Sequence, residues 1–240
     1  MANNYFQFKT FTVHQENCAM KVCTDACLFG AYVASAIVNE KFAVKNSLDI
    51  GAGTGLLSLM LAQKINGHID AVEIDEPAYL QANKNFEQSP WKERLAIFNT
   101  DILHFDAGKK YDCIISNPPF FEGDLKSDNS HKNAAKHDIT LTLQPLLKIA
   151  KYHLKEDGFF ALLLPYHRIS FCFEQAKGLG LYCSKKILVK QTPAHDYFRG
   201  ILFLSRQPTA GHTEAIIIKN EKGDYTERFI ELLKDYYLYL

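Results

Sequence analysis

From about Asn46 onward, short apolar runs alternate with segments whose apolar positions recur at helical spacing. SLDI (47–50), HIDAVEI (68–74), RLAIFN (94–99), YDCIIS (111–116) and GFFALLLP (158–165) read as strands. Helices are predicted from Gly55 to about Lys64, from Glu76 to about Gln88, and across Leu141 to Leu154. Strand and helix in alternation predict an α/β fold on a mostly parallel, doubly wound sheet. The unbroken apolar character of CIIS and FFALLL fits strands covered by helices on both faces.

The two ends of the chain depart from this alternation. KKILVKQ (185–191) and RGILFLSRQ (199–207) are separated by TPAHDYF, which leaves no room for a helix. They predict an antiparallel pair at the sheet edge and bring the expected sheet to seven strands. Ahead of the sheet, Phe6, Phe8, Phe11 and Val13 suggest a small strand pair, followed by a helix from about Asp25 to Val38. AIIIK and a helix from about Tyr225 to Tyr237 close the chain. With no internal repeat or low-complexity segment, the chain reads as one domain: 1–45 as strand pair and helix, 46–207 as core, 208–240 as a last strand and helix.

Composition narrows the class. A chain of 240 residues, 47% hydrophobic and 22% charged, buries one substantial core. It has no apolar run of membrane-spanning length, and MANNYFQFKT lacks a basic segment followed by an apolar one, so a cytoplasmic protein without membrane contact is expected. The six cysteines then read as reduced thiols. Cys18, Cys23 and Cys27 cluster but lack paired C-x-x-C spacing, so no metal site is expected. Lys plus Arg and Asp plus Glu balance at 27 each, yet Lys126 to Arg206 holds 13 basic against 6 acidic residues. Such a stretch is either the footprint of a polyanion or a set of solvated helix faces.

The chemistry concentrates at strand ends. Asp49-Ile50-Gly51-Ala52-Gly53-Thr54-Gly55 follows a strand and opens a helix, as a turn built for close ligand approach does. A pyrophosphate binder uses G-x-G-x-x-G, whereas here glycines alternate behind an aspartate that would repel phosphates. A ligand with an amino group and a sulfonium fits better. Glu73 ends the second strand, where a carboxylate can accept ribose hydroxyls, and Asp101 follows the third, within reach of an adenine amino group. Taken singly, each carboxylate also reads as a solvated loop charge. After the fourth strand comes Ser116-Asn117-Pro118-Pro119-Phe120-Phe121, whose two prolines cannot continue a central strand.

In this order, these motifs resemble the class I, Rossmann-like methyltransferases that use S-adenosyl-L-methionine. The resemblance implies that Asp49, Gly51, Gly53, Gly55, Glu73 and Asp101 line the cofactor site. N-P-P-F is the signature of enzymes that methylate a nitrogen conjugated to a π system: adenine N6, cytosine N4 or a glutamine amide. In that chemistry Asn117 and the Pro118 carbonyl accept the amino protons and Phe120 stacks on the target ring. Phe121 is either a second stacking surface or loop packing. No histidine base is required, which leaves His131, His137, His167 and His195 to surface or structural roles.

FKTFTVHQENCAMKVCTDACLFGAY, LDIGAGTGLLSLMLAQ, NKNFEQSPWKERL, AKHDITLTLQPLL and DYTERFIELLKDYYLYL extend the resemblance over nearly the whole chain. They are similar to the bacterial tRNA1(Val) adenine-N6 methyltransferase family, which modifies the adenine beside the anticodon, at position 37. The implied substrate is tRNA, with a monomer favoured. Thr24 and Asp25 become secondary cofactor candidates, although an N-cap for the following helix explains them equally well. Lys126, Lys132 and Lys136, in the polar stretch 123–138, become candidates for phosphate contact. Rival readings are a protein glutamine N5-methyltransferase, an adenine methyltransferase on ribosomal RNA or DNA, and an RNA chaperone that keeps only the fold.

Overall fold

The computed structural model describes residues 3–16, 18, 20–119 and 142–240. Strands β1 (Tyr5–Gln7) and β2 (Thr12–His14) form a separate antiparallel pair, followed by helix α1 (Thr24–Asn39). The alternating segment then gives β3 (Asn46–Ile50), α2 (Leu56–Ala62), β4 (His68–Glu73), α3 (Glu76–Glu87), β5 (Leu95–Asn99) and β6 (Tyr111–Ser116). Beyond it lie α4 (Leu143–His153), β7 (Leu154–Pro165), α5 (Ile169–Gly178), β8 (Tyr182–Lys190), β9 (Tyr197–Ser205), β10 (His212–Ile217) and α6 (Glu227–Leu233).

The main sheet runs β10-β8-β9-β7-β6-β3-β4-β5, and every neighbouring pair is parallel except those that β9 makes with β7 and β8. The expected α/β fold is therefore present, with two differences of detail. Among the described residues the sheet has eight strands, not seven, and its antiparallel strand lies inside it. β10 supplies the extra strand by pairing outside β8. The short 206–211 connection suffices because β9 and β10 run in opposite directions, so the chain only has to step over β8.

Alternation along the strands divides the core into two layers. Ala71, Cys113, Ile115, Ala161, Leu163 and Phe203 pack toward α1, α2 and α6. Leu48, Ile50, Val72, Ile114, Phe160 and Leu162 pack toward α4 and α5. The N-terminal pair joins the first layer: Phe8 stacks on Phe11 with ring centroids 4.5 Å apart, and the Lys9 N–H donates to the Tyr236 carbonyl at 2.8 Å. Both chain ends thus close over the same face.

The chain winds outward from β3 through β4 to β5, then returns to β6 on the other side of β3. This reversal opens a crevice at the carboxyl ends of β3 and β6, the place where ligands bind in open α/β sheets. Register puts Asp49 beside Ile115 and Glu73 beside Asn99, so the candidate residues share one rim.

Candidate functional site

Gly51, Gly53 and Gly55 all have positive φ, at 73°, 55° and 78°. A Cβ on Gly51 or Gly53 would meet nothing within 4 Å, whereas one on Gly55 would sit 2.5 Å from Phe86 Cε1. The first two therefore border open space, and the third allows α2 to pack against α3. The Gly51 and Ala52 N–H groups donate to the Val72 carbonyl at 2.9 and 3.1 Å, pinning the turn to β4.

Asp49, one residue before the end of β3, has no exposed surface. Its Oδ2 accepts the Ser58 backbone N–H at 3.2 Å and the Ser58 hydroxyl at 2.7 Å. This satisfies an N-terminal N–H of α2, whose N-cap position is Gly55 and has no capping side chain. Asp49 Oδ1 is buried with no hydrogen-bond partner among the described residues. Burial, with a smaller contribution from Glu73, raises the Asp49 pKa to about 7 despite the Ser58 bonds.

Glu73 is 8% exposed at the end of β4. Oε2 accepts the Gly53 N–H at 2.8 Å and Oε1 accepts the Asp75 N–H at 2.9 Å. The carboxylate is thereby fixed beside the glycine turn, and each oxygen keeps a further lone pair for a hydroxyl donor. Asp101, beyond the end of β5, accepts the Leu103 N–H through Oδ1 at 2.9 Å, while Oδ2 lies 4.0 Å from exposed His104 Nδ1.

Asn117 follows β6, where the Ser116 hydroxyl donates to the Ile50 carbonyl at 2.8 Å and ties the strand end to β3. Its Nδ2 lies 3.9 Å from Met20 Sδ, and its Oδ1 is buried without a partner among the described residues. An orphaned amide oxygen is costly unless a donor arrives. Pro118 is buried and Pro119 exposed. Phe120, Phe121, Lys126, Lys132 and Lys136 lie outside the described residues.

The structure separates the remaining candidates. Cys23, not Thr24, occupies the N-cap of α1, and Asp25 Oδ2 pairs with Arg199 Nε at 2.7 Å. Of the clustered cysteines, Cys18 lies near Glu73 and Asp75, Cys23 near Asp25, and Cys27 in the core beside Tyr237. Burial pushes the three thiols up to about 11, 12 and 12. Among the described residues, no group of three or more His, Cys, Asp or Glu is placed to hold a metal ion, and no helix is long and apolar enough to cross a membrane.

Sequence reasoning missed several supports. Asn85 accepts the His14 N–H at 3.0 Å and donates to the His14 and Thr54 carbonyls, both at 2.9 Å, which joins β2 to the glycine turn. Gln15 accepts the Val22 N–H at 2.8 Å and donates to the Asn3 carbonyl at 3.0 Å. Asn85 falls within the NKNF stretch that carried the resemblance, and burial at a polar position was its only other signal.

A doubly wound sheet with an alternating glycine turn after β3, a fixed carboxylate after β4 and an asparagine-proline pair after β6 defines a class I methyltransferase. Residues 20–168 match the methyltransferase small domain family. The tRNA1(Val) (adenine(37)-N6)-methyltransferase of Cytophaga hutchinsonii is 40% identical, covering 100% of both chains. That of Dyadobacter fermentans is 41% identical over 98% of each. Among solved structures, an Agrobacterium tumefaciens protein described as a predicted O-methyltransferase superposes with a TM-score of 0.67 at 15% identity, covering 88% of this chain and 96% of that one. Magnesium protoporphyrin IX methyltransferase from Synechocystis, with its S-adenosylmethionine bound, gives 0.56 at 14% identity over 76% and 80%. The chain belongs to the tRNA1(Val) (adenine(37)-N6)-methyltransferase family.

Proposed function

We infer that this chain transfers the methyl group of S-adenosyl-L-methionine to N6 of an adenine in tRNA, at position 37 of tRNA1(Val). The observation that carries the reading is the Asn117 Oδ1 just past β6, buried with no partner among the described residues, set across the crevice from the open glycine turn that follows β3. An acceptor without a donor suits an incoming exocyclic amino group, and the full-length kinship supports adenine in tRNA as its source.

The residues present fit the cofactor. Asp49 Oδ1 offers an unpaired buried acceptor to a cationic group, Gly51 and Gly53 leave room for close approach, and Glu73 and Asp101 offer acceptors to hydroxyl and amino protons. Thr24 and Asp25 are assigned a secondary part at its amino-acid end. When bound, the cofactor supplies an electrophilic methyl group on sulfur.

Asn117 Oδ1 and the Pro118 carbonyl accept the two amino protons of the adenine. Those bonds favour the nitrogen leaving the plane of the ring, which frees its lone pair for in-line attack. The extra proton is lost after transfer, so no side-chain base is needed. We assign Phe120 to hold the ring's plane, Phe121 to support it, and Lys126, Lys132 and Lys136 to meet phosphates. The base must leave its stack to reach the site, which costs least in a single-stranded loop. The reading takes residues 1–240 as one domain acting as a monomer in the cytoplasm.

The test is incubation with labelled S-adenosylmethionine and unmodified tRNA, then digestion to nucleosides. N6-methyladenosine at the base beside the anticodon is the expected product. No label in tRNA, with methylglutamine on a release factor instead, overturns the substrate.

A further inference from the structure

The rim that carries the site has a second half that the reaction does not use. From Asn117 it continues over the ends of β7, β9 and β8, roughly 14 Å at about 4.8 Å per strand. Tyr166 directly follows the last residue of β7, and Tyr197 is the first residue of β9. Their rings lie 5.4 Å apart, centroid to centroid, at 37°. Lys190, the last residue of β8, pairs with Tyr197 across the strands and places Nζ 4.8 Å from its ring centre. Close by in sequence, the Arg168 guanidinium lies 5.0 Å from the ring of Phe171. Tyr166 and Phe171 are 44% and 39% exposed.

This half differs in charge from the other. The β4 and β5 ends carry Glu73, Asp75, Glu76 and Asp101; the β7, β9 and β8 ends carry Arg168, Lys190 and Arg199, with Asp196 exposed and Asp25 paired to Arg199. Asn117 stands at the boundary. A cationic ligand is favoured on one side of it and a polyanion on the other.

We propose that the rim formed by Tyr166, Tyr197, Lys190, Arg168 and Phe171 is a docking surface for the single-stranded RNA that flanks the target nucleotide. The proposal rests on the tRNA reading and extends it. Exposed rings beside cations fit such a segment: bases stack on aromatic faces whatever their identity, and cations meet the phosphates between them. Phe171 and Tyr197 already lie against cations, and Tyr166 against Tyr197, in the free protein, which holds the platform in place before RNA arrives.

The test compares tRNA methylation by the wild type, the Tyr166→Ala/Tyr197→Ala pair, the Tyr166→Phe/Tyr197→Phe pair and Lys190→Glu, with cofactor affinity measured by calorimetry as the check on folding. The alanine pair should raise KM for tRNA by about tenfold or more with cofactor affinity unchanged, and the phenylalanine pair should restore it. Lys190→Glu should reduce the salt slope of tRNA binding by about 0.7 or more. An active wild type whose alanine pair keeps its KM, and whose Lys190→Glu variant keeps its slope, overturns this surface alone. A loss that the phenylalanine pair does not rescue overturns the stacking role. A wild type that methylates protein and no tRNA overturns both the surface and the substrate.

Discussion

Asp49 spends one carboxylate oxygen on Ser58, accepting its N–H and its hydroxyl, and leaves the other buried without a partner among the described residues. The aspartate thus holds α2 in place while keeping an acceptor that no donor among the described residues meets. With its pKa raised to about 7 in the folded chain, against about 3.9 for an unperturbed aspartate, the group binds a proton more readily folded than unfolded.

The sign of its pH effect follows. Its contribution to the stability of the free protein is fully present below about pH 4 and is lost as pH rises through about 7, because the buried carboxylate must then ionise. A cationic ligand prefers the ionised form, so S-adenosylmethionine should bind more tightly at pH 8 than at pH 6, releasing a proton at the lower pH. Calorimetry in two buffers of different ionisation enthalpy measures both. Asp49→Asn should abolish the pH dependence, and equal wild-type affinity at the two pH values would rule Asp49 out as the cation's partner.

Two glycines in one turn should fail differently. Gly53→Ala meets open space, so it costs only the positive-φ penalty of about 1–2 kcal/mol, yet it puts a methyl group where the ligand would lie. Gly55→Ala carries the same penalty plus a collision with Phe86. The expected result is a larger loss of Tm for Gly55→Ala and, for Gly53→Ala, cofactor binding weakened out of proportion to stability. Equal cofactor affinity in Gly53→Ala and wild type would move the ligand away from this turn.

Removing the orphaned acceptor should separate chemistry from binding. Asn117→Ala should lower kcat by more than about tenfold, or roughly 1.4 kcal/mol of barrier, while cofactor affinity stays near wild type. Single-turnover methylation and calorimetry on the same preparation decide it. Turnover within tenfold of wild type would remove Asn117 from amino-group recognition.

The readable part of this molecule was the part encoded locally. Apolar runs in CIIS and FFALLL announced buried parallel strands, and D-x-G-x-G-x-G marked the turn, because both patterns follow from neighbouring residues. ISFCFEQAKG mixes its apolar and polar positions and so does not announce α5, and the AIIIK run predicts a strand at β10 without indicating the sheet it joins. Thr24 and Asp25 looked like a cap, but the cap position fell to Cys23, and the Asp25 partner is Arg199 on β9. Contacts of that span leave no local pattern. The orphaned state of Asp49 Oδ1 and Asn117 Oδ1 is likewise a property of the packed chain.

Asn85 tests how the N-terminal segment supports the site. Buried in α3 at 1% exposure, it accepts from the His14 N–H and donates to the His14 and Thr54 carbonyls. Asn85→Ala strands one donor and two acceptors, a loss on the order of 3 kcal/mol if each stranded group costs about 1 kcal/mol. Asn85→Asp keeps the acceptor for His14 N–H, but its second oxygen faces two carbonyls it cannot serve while ionised, and burying that charge adds to the cost. The expected order of stability in urea unfolding is wild type, then Ala, then Asp, with cofactor affinity falling in both variants because the Thr54 end of the glycine turn is released. An aspartate variant more stable than the alanine variant at pH 8 would mean that the His14 N–H bond, and not the tie to the turn, is what Asn85 contributes.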